Sequence, residues 1–473
     1  MNAMRKGGFS VRDQRVVVVG AAKSGIAAAE LLVRRGATVT LSEHREFFDD
    51  ITRLQALGVA VETGGHRAQT FLDADLIVTS PGVPIDQPVF NQARAKSIEI
   101  IGELELAWRW LKGPVIAITG TKGKSTTTTL VSRMLQAGGR EVLVGGNIGI
   151  PLSAQVEDSQ VNCVHVIETS SFQLETTTTF HPWIAVWLNI STDHLDRHPS
   201  FKSYVDAKTK VFLNQDRNDT LIINADDPQI KKRTASARSR CLTFSLSGST
   251  HADFVVSGDW IVRRTTTGEE PLLPLAAVEL TGSHMLNNVL AAAATTYAAG
   301  VEDSEVIVSA LHGFRGLEHV MEPVGSIQCV CFVNDSKATN VEAARRSIES
   351  FTENVVAILG GRYKGGDFRE LRGPLSTNGK GVIAIGEAAS LIREALSDLL
   401  PVVEVYSMKE AVEAAYKLAK PEGVVLLAPA CASFDWFNDY AERGRAFKEA
   451  ITLLDGNMVL PGEDEEGIPV TRM

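Results

Sequence analysis

The sequence predicts an α/β protein with three domains: a Rossmann-like N-terminal domain, a central P-loop ATPase-like domain and a C-terminal Rossmann-like domain. Apolar strand patterns alternate with helical patterns along almost the whole chain, which is typical of parallel sheets. A Gly-Lys-Ser loop separates a strand from a helix near position 120, and polar residues follow the ends of several other strands. The length of 473 residues suits about three domains. We expect these domains to span residues 1–112, 113–316 and 317–473.

The composition is that of a globular protein, with 44% hydrophobic and 22% charged residues. A formal net charge of −10 argues against nucleic-acid partners, and no apolar run approaches the roughly 20 residues that a membrane span needs. Residues 1–13 lack the apolar core of a signal peptide. The cysteines have neither disulfide-framework nor zinc spacing, so we expect buried free thiols in a cytoplasmic protein. They are Cys163, Cys241, Cys329, Cys331 and Cys431.

The N-terminal domain is predicted from patterns that alternate between residues 15 and 79. Strands are expected at Arg15–Gly20, Thr38–Leu41 and Asp75–Thr79, with a helix at Gly25–Val33. The first turn has Ala22 where a dinucleotide fingerprint has its second glycine, although Glu43 stands where an acidic residue could hold a ribose. An NAD site is therefore a poor match, and a different phosphate-bearing ligand fits better. An ordinary sheet with tight turns is the alternative.

The central domain is predicted from a phosphate-binding loop. A buried strand at Val115–Ile118 enters a turn with glycines at positions 120 and 123, and Lys124 and Ser125 then open a helix. Such glycines let backbone N–H groups approach phosphates, and the helix N-terminus, the lysine and the hydroxyl suit phosphate and Mg²⁺. The loop is shorter than the usual Gly-x4-Gly-Lys pattern. The alternative is a tight strand-to-helix turn without a ligand.

Polar residues also follow two later strands of this domain. Glu168 ends a buried strand pattern, where a P-loop protein places a partner for Mg²⁺. Asp193 and His194 lie in the turn after the next strand, so they could face the same cleft. Taken singly, such a glutamate is more often on the surface, and such a histidine more often has a structural role.

Two predicted helices of the central domain carry further candidates. Lys208 lies in a helix expected at 204–212, where a lysine would normally be solvated. Asn288 lies early in a helix expected at 285–299, where its amide could meet a nucleobase or a ribose. Between them, residues 240–280 are expected to form short strands with polar turns.

The C-terminal domain is predicted from strands that are followed by polar or glycine-rich residues. The strand patterns cover residues 330–333, 355–359, 382–385 and 424–427. The first runs into the polar stretch Asn334–Asn340, and the last runs into Ala428–Asp435. These are further α/β units, so we expect ligands at the carboxyl ends of their strands.

Together these loops resemble those of the Mur ligases, the ATP-dependent amide-forming enzymes of peptidoglycan precursor synthesis. The resemblance extends from about Val16 to Phe447, nearly the whole chain. The polar stretches of the C-terminal domain look specific to the member that adds D-glutamate. The stretches that carry the resemblance are Thr119–Thr126, Gly145–Gly149, Glu168–Leu174, Asp193–His194 with Asp196–Arg197, Asn334–Asn340 and Pro429–Ser433.

The resemblance implies an ATP-dependent ligase that adds D-glutamate to UDP-N-acetylmuramoyl-L-alanine. ATP would phosphorylate the carboxylate of the uridine-linked substrate, and the amine of D-glutamate would then attack the acyl phosphate. Two anions must meet in this reaction, so Mg²⁺ and lysines would stabilise the charge. The resemblance also implies small-molecule substrates only, and we expect a monomer.

The resemblance further implies roles for individual residues. The catalytic residues would be Lys124, His194, Lys208 and Lys337. Two Mg²⁺ sites would use Ser125, Glu168, His194 and Lys208, the last as a carbamate. ATP would contact Gly120, Thr121, Lys122, Gly123, Lys124, Ser125, Thr126, Asn288, Asp335 and Lys337. The uridine-linked substrate would contact Ser24, Glu43, Arg45, Ser80 and Asn147. D-Glutamate would contact Thr339, Lys364, Ser433 and the backbone near Tyr440.

Two positions depart from the family pattern, and they motivate one of two alternatives. Val320 follows His319 where the family has arginine, and Met285 follows His284 where it has asparagine. Both losses fall near the expected nucleotide, so a nucleotide-binding regulator with weak catalysis is one alternative, and Arg315 could compensate for them. A sibling amide ligase, either another Mur step or a folate polyglutamate synthetase, is the other.

Overall fold

The computed structural model describes residues 8–191, 193, 197–278, 283–314, 316–363 and 365–454, without the side chains of Ser283 and His284. The chain divides into two compact units, residues 1–314 and 315–473. Three sheets are formed, two in the first unit and one in the second, which confirms the α/β class with three domains. The boundaries expected after residues 112 and 316 stay a prediction.

The first sheet is parallel throughout, in the order β3-β2-β1-β4-β5. Its strands are Val-, Leu- and Ile-rich and mostly buried on both faces, as helices on both sides require. The strands are β1 (Arg15–Val19), β2 (Thr38–Ser42), β3 (Ala60–Glu62), β4 (Leu76–Thr79) and β5 (Glu99–Gly102). The helices are α1 (Lys23–Arg34), α2 (Ile51–Ala56), α3 (Ala68–Leu72), α4 (Pro88–Ala95) and α5 (Glu103–Trp108).

The second sheet has nine strands in the order β14-β13-β12-β11-β10-β9-β6-β8-β7. Its pairings of β12 with β13 and of β13 with β14 are antiparallel. The strands are β6 (Val115–Thr119), β7 (Val142–Gly146), β8 (Val164–Glu168), β9 (Ile184–Trp187), β10 (Thr220–Asn224), β11 (Arg240–Ser245), β12 (Phe254–Ser257), β13 (Trp260–Thr265) and β14 (Gly268–Pro274). The helices are α6 (Lys124–Ala137), α7 (Ser171–Leu174), α8 (Phe201–Thr209), α9 (Pro228–Thr234), α10 (Ser283–Ala298) and α11 (Ser304–Leu311).

The sheet of the second unit has the order β15-β16-β20-β17-β18-β19, with β15 antiparallel to β16 and the remaining pairs parallel. The strands are β15 (Glu322–Ile327), β16 (Cys329–Asn334), β17 (Val355–Gly360), β18 (Gly379–Ile385), β19 (Val402–Glu404) and β20 (Glu422–Leu427). The helices are α12 (Val341–Glu349), α13 (Arg372–Asn378), α14 (Ala389–Leu396), α15 (Met408–Ala419) and α16 (Tyr440–Leu454).

Two sequence expectations need correction. The helix expected at 204–212 begins earlier, at Phe201, because the Ser200 side chain accepts a hydrogen bond from the Ser203 backbone and so caps the helix. All five cysteines are free, as expected, but only Cys163 and Cys431 are buried, whereas Cys331 is half-buried and Cys241 and Cys329 are exposed. Among the described residues, no helix is long and apolar enough to cross a membrane.

Candidate active site

The loop between β6 and α6 has the tight geometry that a phosphate site needs. Gly120 and Gly123 have φ values of +157° and +81°, and Gly123 immediately precedes the first residue of α6. The φ of Gly123 favours glycine, and a Cβ atom there would lie 2.1 Å from Oδ1 of Asn288, so the Asn288 side chain packs closely against this residue. The same contact brings the predicted nucleotide ligand Asn288 against the loop. Lys124 Nζ donates to the Thr121 carbonyl at 2.9 Å.

Two residues that the sequence reading missed hold this loop in place. Asn189 Oδ1 accepts from the backbone N–H groups of Thr121 at 3.0 Å and Lys122 at 2.9 Å. The Tyr204 hydroxyl lies 3.0 Å from Thr121 Oγ1, and burial raises the pKa of Tyr204 to about 12. Asn189 was within reach of sequence analysis because it closely follows β9. Tyr204 was not, because only the fold brings α8 to the loop.

Glu168, Ser125 and Asn147 form one polar cluster at the ends of β8 and β7. Ser125 Oγ donates to Glu168 Oε2 at 2.5 Å, and Asn147 Nδ2 donates to Glu168 Oε1 at 2.6 Å. Glu168 is only 2% exposed, so it is not the surface carboxylate of the alternative reading. A hydroxyl and a carboxylate beside a phosphate loop are oxygen ligands of the type that Mg²⁺ uses, so the residues present fit this ion. His194 lies outside the described residues.

Lys208 is buried beside the same loop, with 2% exposure. Its Nζ donates to the Gly120 carbonyl at 2.8 Å and lies 4.9 Å from the centre of the Tyr204 ring. Burial and then repulsion by Lys124 lower the pKa of Lys208 well below its usual value, against the opposing attraction of nearby carboxylates. A lysine with a lowered pKa is neutral more often, and the neutral amine is the form that adds to carbon dioxide.

A second group of predicted residues gathers at the carboxyl ends of β1 and β4. Ser80 Oγ donates to the Gly20 carbonyl at 2.9 Å. A Cβ atom on Gly25 would lie 1.9 Å from the Gly20 carbonyl oxygen and 2.5 Å from Ser80 Oγ, so glycine is required. Half-buried Ser24 lies in the first turn of α1, next to this contact. The turn therefore presents a helix N-terminus, which suits an anionic ligand.

Glu43 lies at the end of β2 and ties two segments of this group together. Its Oε2 accepts from the Ala21 backbone at 2.6 Å, and its Oε1 accepts from Arg45 Nε at 3.1 Å. Burial alone would raise the pKa of Glu43, but hydrogen bonds from Arg45 and the Ala21 backbone outweigh it and lower this pKa to about 2. Glu43 is therefore ionised at neutral pH.

We expect Glu43→Gln to lower the melting temperature at pH 7 by about 2–4 °C, because the ionised carboxylate is lost from its hydrogen bonds. The folded pKa of about 2 lies below the usual 4.5, so the carboxylate stabilises fully above pH 4.5 and loses its effect as pH falls toward 2. In thermal melts, the difference in melting temperature between wild type and variant should shrink as pH falls from 4.5 toward 2. A pH-independent difference would contradict this, and Glu46→Gln, an exposed neighbour, is the control.

In the second unit, three loops meet at the ends of neighbouring strands β16, β20 and β17. The Ala430 backbone donates to the Ala338 carbonyl at 2.9 Å, and Arg362 and Ala432 exchange backbone hydrogen bonds. Buried Arg443 of α16 adds to these ties, because its guanidinium donates to the carbonyls of Ser336 at 2.9 Å and Cys431 at 3.1 Å. The loops after β16 and β20 are therefore held as one surface.

The predicted ligands of this unit lie on or beside these loops. Ser433 is buried, Lys337 and Thr339 are half-buried, and Ser336 Oγ donates to the Tyr440 carbonyl at 2.7 Å. Asp335 is mostly buried, and its Oδ1 accepts from the Met321 backbone at 3.1 Å. Burial raises the pKa of Asp335. Lys364 lies outside the described residues.

Met285 and Val320, the two positions that depart from the family pattern, both have contacts or backbone geometry that the structure describes. Met285 Sδ lies 3.8 Å from Asn288 Nδ2, so the methionine contacts the amide that packs on the phosphate loop. Val320 lies between His319 and Met321, whose φ values of +65° and +44° mark a tight turn. His319 is buried and contacts Asn334 Nδ2 through Nδ1 at 2.9 Å. Arg315 lies outside the described residues.

Three family models match the chain in order along its length. The first is described as the Mur ligase MurD-like N-terminal domain and matches residues 14–102. The Mur ligase middle domain matches residues 118–296, and the Mur ligase glutamate ligase domain matches residues 321–431.

Among curated proteins, the chain is similar to two called UDP-N-acetylmuramoylalanine–D-glutamate ligase. The protein from Acidobacterium capsulatum is 47% identical over 95% of this chain and 98% of its own length. The protein from Koribacter versatilis is 45% identical over 94% of this chain and 99% of its own length. These similarities extend over all three sheets.

Two solved structures share the fold at low sequence identity. UDP-N-acetylmuramate–alanine ligase MurC from Thermotoga maritima aligns with a TM-score of 0.56 at 20% identity, over 93% of this chain and 100% of its own. The MurF ligase from Thermotoga maritima in complex with ADP aligns with a TM-score of 0.54 at 17% identity, over 94% of this chain and 96% of its own.

Proposed function

We propose that this chain, which belongs to the Mur ligase family, is the ATP-dependent ligase that adds D-glutamate to UDP-N-acetylmuramoyl-L-alanine in peptidoglycan precursor synthesis. The observation that carries the proposal is the 47% identity over 95% of the chain with a ligase of that name. The buried cluster around Glu168 supports catalysis over a regulatory role, because a binder has no need of a metal-ligand set beside its phosphate loop.

The phosphate loop supplies the ATP site in this proposal. Lys124 contacts the phosphates, and Ser125 and Glu168 hold Mg²⁺, which neutralises charge between ATP and the substrate carboxylate. The Asn288 side chain lies so close to Gly123 that an added Cβ atom would be 2.1 Å from its Oδ1. This position beside the phosphate loop supports a nucleotide contact for the Asn288 amide. The rest of the proposed ATP set is Gly120, Thr121, Lys122, Gly123, Thr126, Asp335 and Lys337.

Lys208 is proposed to carry a carbamate and, with His194, to serve a second Mg²⁺ site. A carbamate converts the cation into an anion, which would remove the repulsion from Lys124. The lowered pKa of Lys208 supports this modification, because only the neutral amine adds to carbon dioxide. The role of His194 is supported by the sequence alone, because this residue lies in the Asp193–His194 stretch that resembles the family.

The two substrates are assigned to the remaining loops. The uridine-linked substrate binds the group at the ends of β1, β2 and β4, together with the Asn147 side chain. D-Glutamate binds the joined loops after β16 and β20, with Lys364 assigned from sequence alone. The proposed ligands are Ser24, Glu43, Arg45, Ser80 and Asn147 for the first, and Thr339, Lys364, Ser433 and the Tyr440 backbone for the second.

We also propose that the chain acts as a cytoplasmic monomer with domains spanning residues 1–112, 113–316 and 317–473. One chain contains all three sets of proposed ligands, which supports a monomer. The use of ATP supports a cytoplasmic location. A molecular mass of two chains in analytical ultracentrifugation would contradict the proposed monomer.

We expect Glu168→Gln to raise the Mg²⁺ concentration needed for nucleotide binding by at least about tenfold, because a neutral amide is a weaker ligand. Titration calorimetry with a non-hydrolysable ATP analogue measures this without turnover. Glu141→Gln, at an exposed carboxylate near β7, is the matched control and should bind as wild type. An unchanged Mg²⁺ requirement in Glu168→Gln would contradict the metal assignment.

Product analysis distinguishes the proposed reaction from its sibling steps. Purified protein is incubated with ATP, Mg²⁺ and three matched pairs of uridine-linked precursor and amino acid, with L-alanine, D-glutamate or meso-diaminopimelate as acceptor. Mass spectrometry should detect the product that contains D-glutamate and neither of the others. A product with L-alanine or meso-diaminopimelate instead would replace the proposal by a sibling ligase.

A further inference from the structure

Arg197 lies where three segments of the first unit meet. Its Nη2 donates both to the Val83 carbonyl at 2.9 Å and to Glu175 Oε1 at 2.9 Å. The guanidinium also lies 5.5 Å from the centre of the Phe172 ring. One nitrogen therefore joins the loop after β4 to the segment that follows β8.

This contact is well shielded from water. The side chains of Arg197 and Glu175 are 18% and 15% exposed. Breaking an ion pair with little access to water costs more than breaking an exposed one, because the remaining charge stays partly buried. The Lys210 ammonium donates to the Glu175 and Thr177 carbonyls, so it fixes the backbone under the carboxylate without replacing Arg197.

Val83, the first partner of Arg197, closes the turn that carries Ser80. The Val83 backbone donates to the Ser80 carbonyl at 3.0 Å, and Ser80 Oγ donates to the Gly20 carbonyl at 2.9 Å. A Cβ atom on Gly20 would lie 2.8 Å from Val83 Cγ2, so the two turns are packed closely. A displacement of Val83 therefore reaches both turns of the proposed uridine-substrate pocket.

On the second side, Arg197 is tied to the segment that begins at Glu168. His198 Nε2 lies 2.9 Å from Ser171 Oγ, and its ring stacks on Phe172 at 5.4 Å between centres. The Glu175 backbone donates to the Ser171 carbonyl at 2.9 Å, so Glu175 is fixed to the first residue of α7. Only two residues separate that helix from Glu168.

We propose that Arg197 is a positioning residue that couples occupancy of the uridine-substrate pocket to nucleotide binding at the phosphate loop. The inference rests on the proposed function for the identity of the two ligands. Arg197 is not among the proposed contacts of either ligand. It holds the Val83 turn and the Glu175 segment in one arrangement, so a ligand that orders either side also orders the other.

Arg109 offers a matched control, because its partners lie on α5, β5 and Thr178 rather than on the Val83 turn or at Glu175. Its side chain is 11% exposed, and its guanidinium bonds Glu99, Glu105 and, at 3.4 Å, Thr178 Oγ1. It therefore also joins the first domain to the second. Loss of Arg109 should lower stability without changing how the two ligands affect each other.

The test measures a coupling ratio by titration calorimetry on the full chain. The ratio is the dissociation constant of UDP-N-acetylmuramoyl-L-alanine without nucleotide divided by that with a non-hydrolysable ATP analogue and Mg²⁺. We expect a ratio of about tenfold in wild type and Arg109→Met, about 1 in Arg197→Met, and an intermediate value in Arg197→Lys, which keeps the cation. If Arg197→Met does not fold, Arg197→Gln takes its place.

The outcomes separate this inference from the proposed function. A folded Arg197→Met with the wild-type ratio would overturn the inference, as would a ratio of 1 in wild type. An equal loss in Arg109→Met would overturn it too, because the effect would then be general destabilisation. Wild type that binds neither ligand would contradict the proposed function itself.

Discussion

Replacing Lys208 by alanine is expected to lower the turnover number by about 10²- to 10³-fold, the magnitude typical of losing one preorganised charged group in a catalytic site. Lys208 is 2% exposed and bonded to the Gly120 carbonyl, so its place is fixed beside the phosphate loop. If the working form is a carbamate, the variant lacks an anion rather than a cation. Added formate or acetate should then restore part of the activity.

The control for this variant lies on the same helix. Lys202 is 77% exposed and paired with Asp206, so Lys202→Ala should keep wild-type turnover and should not respond to formate. Steady-state phosphate release measures both variants with and without the small carboxylates. Wild-type turnover in Lys208→Ala would contradict the proposed role of this lysine. A folded, inactive variant without carboxylate rescue would exclude the carbamate and leave a cationic role.

Replacing Lys124 by alanine should lower kcat/KM for ATP by about 10³-fold, the lower range found when a cation that stabilises a transferring phosphoryl group is lost. The Lys124 ammonium bonds the Thr121 carbonyl of the loop at 2.9 Å, so it lies ready to meet the phosphates. Removing it should also relieve repulsion on Lys208 and raise the pKa of that lysine.

Gln136→Ala, an exposed change near the end of the same helix, is the control for Lys124→Ala. Initial rates over a range of ATP concentrations separate the two variants, and a nucleotide-binding titration shows whether affinity or turnover is lost. We expect turnover to fall more than affinity, because the charge on the phosphates grows toward the transition state. Unchanged kcat/KM in Lys124→Ala would contradict the assignment of this loop to ATP.

Much of the fold could be predicted because its central strands are buried and consist of continuous apolar runs. Val115–Ile118 and Val355–Leu359 are examples, and the observed strands differ from them by one residue. The phosphate loop was also predictable, because its glycine, lysine and serine residues are adjacent in the sequence and form the loop without distant partners. The helix around Lys208 was misplaced by three residues at each end, since its start depends on one capping serine.

The rest of the site could not be predicted, because it depends on side chains that meet only in the fold. Tyr204 on Thr121, Arg443 between two loops and Arg197 on Val83 each join residues more than ten positions apart. No local pattern distinguishes Tyr204 or Arg443 from ordinary surface groups. Arg197 belongs to a stretch that resembles the family, but nothing in that stretch indicates its contact with Val83. The burial of Lys208 could not be predicted either, because sequence alone favours a solvated lysine on a helix.

The decisive experiment for D-glutamate addition measures phosphate release from ATP with UDP-N-acetylmuramoyl-L-alanine and Mg²⁺, and compares D-glutamate with L-glutamate. We expect release that depends on D-glutamate and is absent with L-glutamate, and this result would also show that Val320 and Met285 are compatible with ATP use. No release with D-glutamate from folded protein would contradict the claim. Val320→Arg and Met285→Asn would then show whether those two positions are the cause.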